Sequence, residues 1–165
     1  MTEISEEYLK EFPAFERERT CAVTGHRDLS LGVDVKLVEK VLRSAVDCGY
    51  DTFMVGMALG FDFLCFRILE KIRREKPIKI IACVPCRGQA NKFSEPQKDE
   101  YLRMLSVSDE TVVLSEEYTR FCMQKRNIYM VDNSSLVIAY LKKDKGGTFN
   151  TVKYAESKGV TIIKV

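Results

Sequence analysis

Apolar residues along this chain alternate between short dense runs and longer stretches where they recur every three or four positions. The runs fall at 20–24, 52–55, 78–84, 111–114, 136–141 and 160–165. Each is too short for a stable helix and lacks regular polar alternation, the pattern of strands buried on both faces. The spaced stretches read as helices. One covers 34–48, with Val38, Val41, Leu42, Ala45 and Val46 on one face, Asp34 as N-cap and Gly49 as stop signal. A second follows Gly60 with a stripe of Phe61, Leu64, Cys65, Ile68, Leu69 and Ile72. A third carries Tyr101, Leu102 and Leu105 after a long polar segment at 86–96, and two more are predicted around 120–131 and 148–157. Strands alternating with helices predict an α/β fold: a Rossmann-like three-layer sandwich with a mostly parallel sheet of about six strands and helices on both faces.

No internal repeat or break in composition marks a second domain, so residues 19–165 are expected to form one unit. Residues 1–18 are an N-terminal extension in which Tyr8, Leu9, Phe12 and Phe15 are expected to pack on the domain surface as a short helix and an extended lead-in broken by Pro13.

Composition narrows the function. A formal net charge of +2 on 165 residues provides no broad footprint for DNA or RNA, so nucleic acid is not the expected partner. The first residues are acidic and lack the basic and apolar regions of a secretory signal, and no apolar run is long enough to span a bilayer, which predicts a cytoplasmic protein. Six scattered cysteines fit buried free thiols in a reducing compartment. Only Cys83 and Cys86 have suggestive spacing, but no second pair accompanies them and His26 is the sole histidine, so no metal site is expected. Apolar helix faces leave room for a homodimer.

In a parallel sheet, ligands bind beyond the carboxyl ends of the strands. The loops leaving those ends contain Gly25, His26 and Arg27; Gly56, Met57, Gly60 and Asp62; Pro85 to Gln89; and Gly146, Gly147 and Thr148. The Gly-Gly-Thr turn reads either as a phosphate cradle, where the backbone approaches an anion at a helix N-terminus, or as an ordinary chain reversal. Neither G-x-G-x-x-G nor a Walker A motif occurs, which argues against a standard NAD enzyme or P-loop NTPase.

Several segments together carry a resemblance: T-G-H-R after the first strand, G-M-A-L-G-F-D after the second, P-C-R-G-Q, Q-K-R-N-I-Y-M-V-D-N-S-S, and K-G-G-T-F-N-T. From about residue 20 onward the chain resembles the YpsA-type family, within the superfamily named for the DNA-processing protein DprA and the LOG phosphoribohydrolases. The resemblance implies a modified Rossmann fold that binds a nucleotide or an ADP-ribose-like ligand, with no cofactor required. Relatives include phosphoribohydrolases, nucleotide sensors and DNA-binding proteins.

Arg126 and Met130 repeat the R-x-x-x-M helix of the enzymes, and Asn127 adjoins Arg126. Their catalytic glutamate, about one turn beyond the threonine, has no counterpart among 149–153, so nucleotide binding as a sensor or accessory protein is the leading expectation. An N-glycosidase using Asp62 or Asp132, with Arg126 assisting, is the alternative. A DprA-like DNA-binding module is the second alternative. Gln89, Phe93 and Tyr101 could cover a base or pack in the core.

Overall fold

The computed structural model describes residues 11–165. Its six strands are β1 (Thr20–Gly25), β2 (Thr52–Val55), β3 (Lys79–Val84), β4 (Glu110–Val113), β5 (Leu136–Tyr140) and β6 (Thr161–Lys164). Five α-helices connect them: α1 (Val35–Asp47), α2 (Phe61–Arg73), α3 (Glu95–Val107), α4 (Cys122–Asp132) and α5 (Gly147–Ser157). The strands form one sheet in the order β4-β3-β2-β1-β5-β6, and every pairing is parallel. The fold is thus the expected Rossmann-like α/β sandwich.

Strand alternation separates two cores. In β1, Cys21 and Val23 join Leu136, Ile138 and Tyr140 of β5 under α1, α2 and α3. Ala22 faces the other way, with Val137 and Ala139, and meets Tyr129 of α4 and Ala155 of α5. Because both faces are covered, the central strands are apolar over most of their length, which explains the dense runs in the sequence.

Helix boundaries have local causes. Asp34 caps α1 by accepting the Leu37 N–H at 3.1 Å, and Gly49 follows the helix at φ 104°. In α3, Ser94 and Gln97 form a reciprocal capping box, so the helix begins before Pro96 and the loop ahead of it is shorter than the polar segment suggested. Leu102 points outward and is 61% exposed.

Tyr8 and Leu9 of the N-terminal extension lie outside the described residues. Phe12 and Phe15 pack against the α4 side of the sheet. The Phe12 ring meets Tyr129 edge-on at 5.9 Å, Phe15 N–H donates to Asn133 Oδ1 at 2.9 Å, and Tyr129 Oη donates to the Pro13 carbonyl. Among the described residues no helix is long and apolar enough to cross a membrane.

Candidate functional site

The chain turns away from β1 toward opposite edges of the sheet, so β1 and β5 are neighbours whose following loops diverge. That topological switch opens a crevice at their carboxyl ends. A cleft of about 280 Å³ lies there, with walls from the end of β1 and its loop, the β2 loop, the first turns of α2 and α5, and the face of α4 that carries Met123, Arg126, Asn127 and Met130.

The β1 wall contains Gly25, His26 and Arg27. Gly25 is the last residue of β1 and pairs with Tyr140. His26 Nε2 accepts the Lys142 backbone N–H at 2.9 Å, and its ring meets Tyr140 edge-on at 5.6 Å. An accepting Nε2 requires the neutral imidazole with its proton on Nδ1. Burial lowers its pKa from 6.5, Lys143 adds to that, and Asp28 opposes it.

The β2 wall contains the charged centre. Gly56 separates Asp62 from Arg126: a carbon placed on Gly56 would stand 3.0 Å from both the Arg126 guanidinium and Asp62 Oδ2. Asp62 sits in the first turn of α2, is 5% exposed, and reaches back to accept the Ala58 N–H at 3.0 Å. Burial raises its carboxyl to about 6 from 3.8, against the opposing pull of Arg126, the Ala58 N–H and Arg27. Arg126, on α4, is equally enclosed and donates to the Gly56 carbonyl and to Asn127 Oδ1. Burial draws its pKa down while Asp62 draws it up.

The α5 wall is of a different kind. Gly146 has φ 95°, a conformation suited to glycine, and nothing lies within 4 Å of where a Cβ on Gly146 or Gly147 would sit. Helix α5 begins without a side-chain cap, and Asn150 N–H to Gly146 O at 3.0 Å is its first backbone bond. The N–H groups of the first turn therefore have no helical acceptor. Thr148 is buried beside them and lines the cleft.

Gly146 precedes this wall without lining the cleft, and four further sequence candidates stand elsewhere. Met57 is fully buried in the core, at φ 63°. Gly60 abuts Arg27, whose carbonyl oxygen would be 2.2 Å from a Cβ, so this glycine serves contact between loops. Gln89 is held by protein, donating to the Gly56 carbonyl at 3.0 Å and accepting from Tyr101 Oη at 3.0 Å. It supports the β2 loop from behind. Asp132 ends α4 and so lies toward the opposite end of the sheet, accepting the Tyr154 hydroxyl at 2.6 Å. Phe93 and Tyr101 belong to the core. Likewise Cys86 adjoins Cys122, and burial first and that neighbour second push its thiol up. Among the described residues no group of three or more His, Cys, Asp or Glu could hold a metal ion.

The structure also adds residues that the motifs did not single out. A groove of about 500 Å³ runs between α4 and α5, walled by Met123, Gln124 and Ile128 on one side and Asn150, Thr151 and Tyr154 on the other. Met123, Asn127 and Gly147 line both spaces. Spacing by three and four positions on two neighbouring helices was the available signal, but core packing produces the same spacing.

Residues 21–161 match the YpsA family model, described as the YspA SLOG family. The chain is 36% identical over 119 residues to an uncharacterized SPbeta prophage-derived protein, YoqJ, of Bacillus subtilis, covering 63% of this chain and 68% of that one. It is 25% identical over 157 residues to a UPF0398 protein of Bacillus velezensis, with 87% and 86% covered. Among solved structures, DNA processing protein A from Streptococcus pneumoniae aligns with TM-score 0.61 at 22% identity, over 96% of this chain and 51% of that chain. The Helicobacter pylori protein of that name, described for its single-stranded DNA binding mode, aligns with TM-score 0.65 at 16% identity, over 97% and 68%. These two likenesses are of fold, and the chain spans about half the S. pneumoniae protein.

Proposed function

This chain belongs to the YpsA family of SLOG proteins, and we propose that its crevice binds a nucleotide or nucleotide-derived ligand. The observation that carries this reading is the contrast among the glycines. Carbons added at Gly25 and Gly60 would strike Phe61 and Arg27, whereas Gly146 and Gly147 face open space at an uncapped helix start. A backbone left bare there lets a phosphate reach the first-turn N–H groups and the positive end of α5. Arg27, exposed at the rim, adds a forked donor, and the exposed Lys142, Lys143 and Lys145 draw anions to the mouth. In this reading Asp62 accepts hydrogen bonds from sugar hydroxyls, and the neighbouring Arg126 favours its charged form.

Calorimetric titration with nucleoside mono-, di- and triphosphates, ADP-ribose and NAD tests the proposal. Saturable binding of at least one, weakened by Arg27→Ala, is expected. A folded sample that binds none of them overturns it. A short single-stranded oligonucleotide belongs in the same panel, because the H. pylori neighbour is described for that ligand.

A second reading, N-glycosidic hydrolysis, is favoured by one observation: Asp62 is a buried carboxylate in the crevice with a pKa raised to about 6, the range of a general acid or base near neutrality. It predicts release of free base from a nucleoside monophosphate, abolished by Asp62→Asn. Absence of base after prolonged incubation overturns that reading and leaves binding intact.

A further inference from the structure

The crevice, at about 280 Å³, is just below the ~300 Å³ lower bound usual for ligand pockets. A whole nucleotide needs more room. The space that adjoins it is the groove between α4 and α5. We infer that this groove seats the nucleobase of the ligand whose phosphate lies on Gly146 and Gly147. The inference rests on the crevice being the phosphate and sugar site.

Three observations lead to this assignment. The first is continuity: Met123, Asn127 and Gly147 face both spaces, so a ligand on the Gly-Gly turn passes into the groove without crossing a wall. Gly147 to Tyr154 covers about 10 Å of helix axis, the extent of a nucleoside monophosphate from phosphate to base.

The second is a division of chemistry. The crevice holds the charges of Arg27, Asp62 and Arg126. The groove is walled by the apolar bodies of Met123 and Ile128 and by the side-chain amides of Gln124, Asn127 and Asn150, and among the described residues Arg120 is its one charged lining residue and no carboxylate lines it. An amide offers a donor and an acceptor side by side, matching the edge of an uncharged heteroaromatic base. Apolar walls accept its face.

The third is the state of the aromatic residues. Phe93 and Tyr101 are committed to the core, at 8% and 4% exposure, so they are not available as a stacking surface. Tyr154 lines the groove, with the Lys158 ammonium 5.6 Å from its ring centroid, and its hydroxyl is fixed by Asp132 at 2.6 Å, which holds the ring in one orientation before any ligand arrives.

The test compares ribose 5-phosphate with AMP, GMP, CMP and UMP by calorimetry, on the full chain and on a Gln124→Ala, Asn150→Ala double variant. Both positions line only the groove, and thermal unfolding checks that the variant is folded. At least one nucleotide should bind the parent about tenfold to a hundredfold more tightly than ribose 5-phosphate, the scale of one base contact. The double variant should lose most of that advantage and bind ribose 5-phosphate as the parent does. Ribose 5-phosphate binding as tightly as every nucleotide overturns the groove assignment and leaves the crevice reading standing. So does a double variant that keeps the full nucleotide preference. No binding of any probe to the parent overturns both.

Discussion

Replacing Gly60 by alanine separates the structural glycines from the open ones. The new Cβ would lie 2.2 Å from the Arg27 carbonyl oxygen, 2.5 Å from its Cα and 2.6 Å from its carbonyl carbon. All three are backbone atoms, so no side-chain rotation relieves the clash. Gly60 also has φ 83° and ψ −116°, a conformation that costs a residue with a side chain about 1–3 kcal/mol. Separating the two loops adds an overpacking cost of about 1–3 kcal/mol. It also strains the 3.2 Å bond from the Phe61 N–H to the His26 carbonyl, a bond contributing about 1 kcal/mol. A total of about 3–7 kcal/mol is expected, out of the ~5–15 kcal/mol typical of a folded domain. For a chain of this size that lowers the melting temperature by about 6–28 °C. Circular dichroism melts of Gly60→Ala and Gly147→Ala, run in parallel, measure the contrast. Gly147 has open space and no positive φ, so its alanine variant should melt within about 2 °C of the parent while losing affinity for nucleotide. A Gly60→Ala protein as stable as the parent would refute the reasoning.

Other outcomes follow from the charged centre and its neighbours. The Asp62 pKa is raised in the folded state to about 6 from 3.8, so its contribution to stability is fully present below about pH 4 and is lost as pH rises through 6. Asp62→Asn should therefore gain stability relative to the parent between pH 4 and 7, by on the order of 2–3 kcal/mol in urea unfolding; an equal difference at both pH values would contradict this. Arg126→Met removes the cation that holds the carboxyl down, and the Asp62 titration followed by carboxyl NMR should move above 6. His26 has a lowered pKa, so the stability it lends is present above its ordinary 6.5 and is lost as pH falls through the folded value. The Lys142 amide resonance should shift in step with that titration, and His26→Ala should abolish the shift.

The fold was legible because its rules act over short distances in sequence. A strand covered on both faces is apolar at most of its positions, so β1, β3 and β5 announced themselves. Asp34 caps a helix within three residues of its partner, and Gly49 stops that helix locally. The start of α3 was misjudged where two local signals competed: Pro96 suggests a break, yet proline is tolerated in the first turn of a helix, and the Ser94–Gln97 box fixes the start ahead of it. Residues 1–10 of the extension lie outside the described residues, whereas Phe12 and Phe15 lie on the α4 side of the sheet.

The site was legible by loop but not by side chain, because a glycine in a sequence does not reveal what occupies the space it leaves. Gly25, Gly60 and Gly147 look alike as letters. In the fold, the first accommodates the Phe61 ring, the second the Arg27 backbone, and the third nothing. The same ambiguity misplaced Gln89, whose amide is spent on Gly56 and Tyr101, and Met57, whose side chain fills the core. These two residues still bear on the site through the loop they fix. Gln89 donates to the Gly56 carbonyl from one side and Arg126 from the other, which holds the strand-to-loop turn between Asp62 and Arg126. Gln89→Leu should accordingly weaken nucleotide binding without touching the ligand, and should move the Asp62 titration with it. A merely structural role would lower stability and leave that pKa where it is.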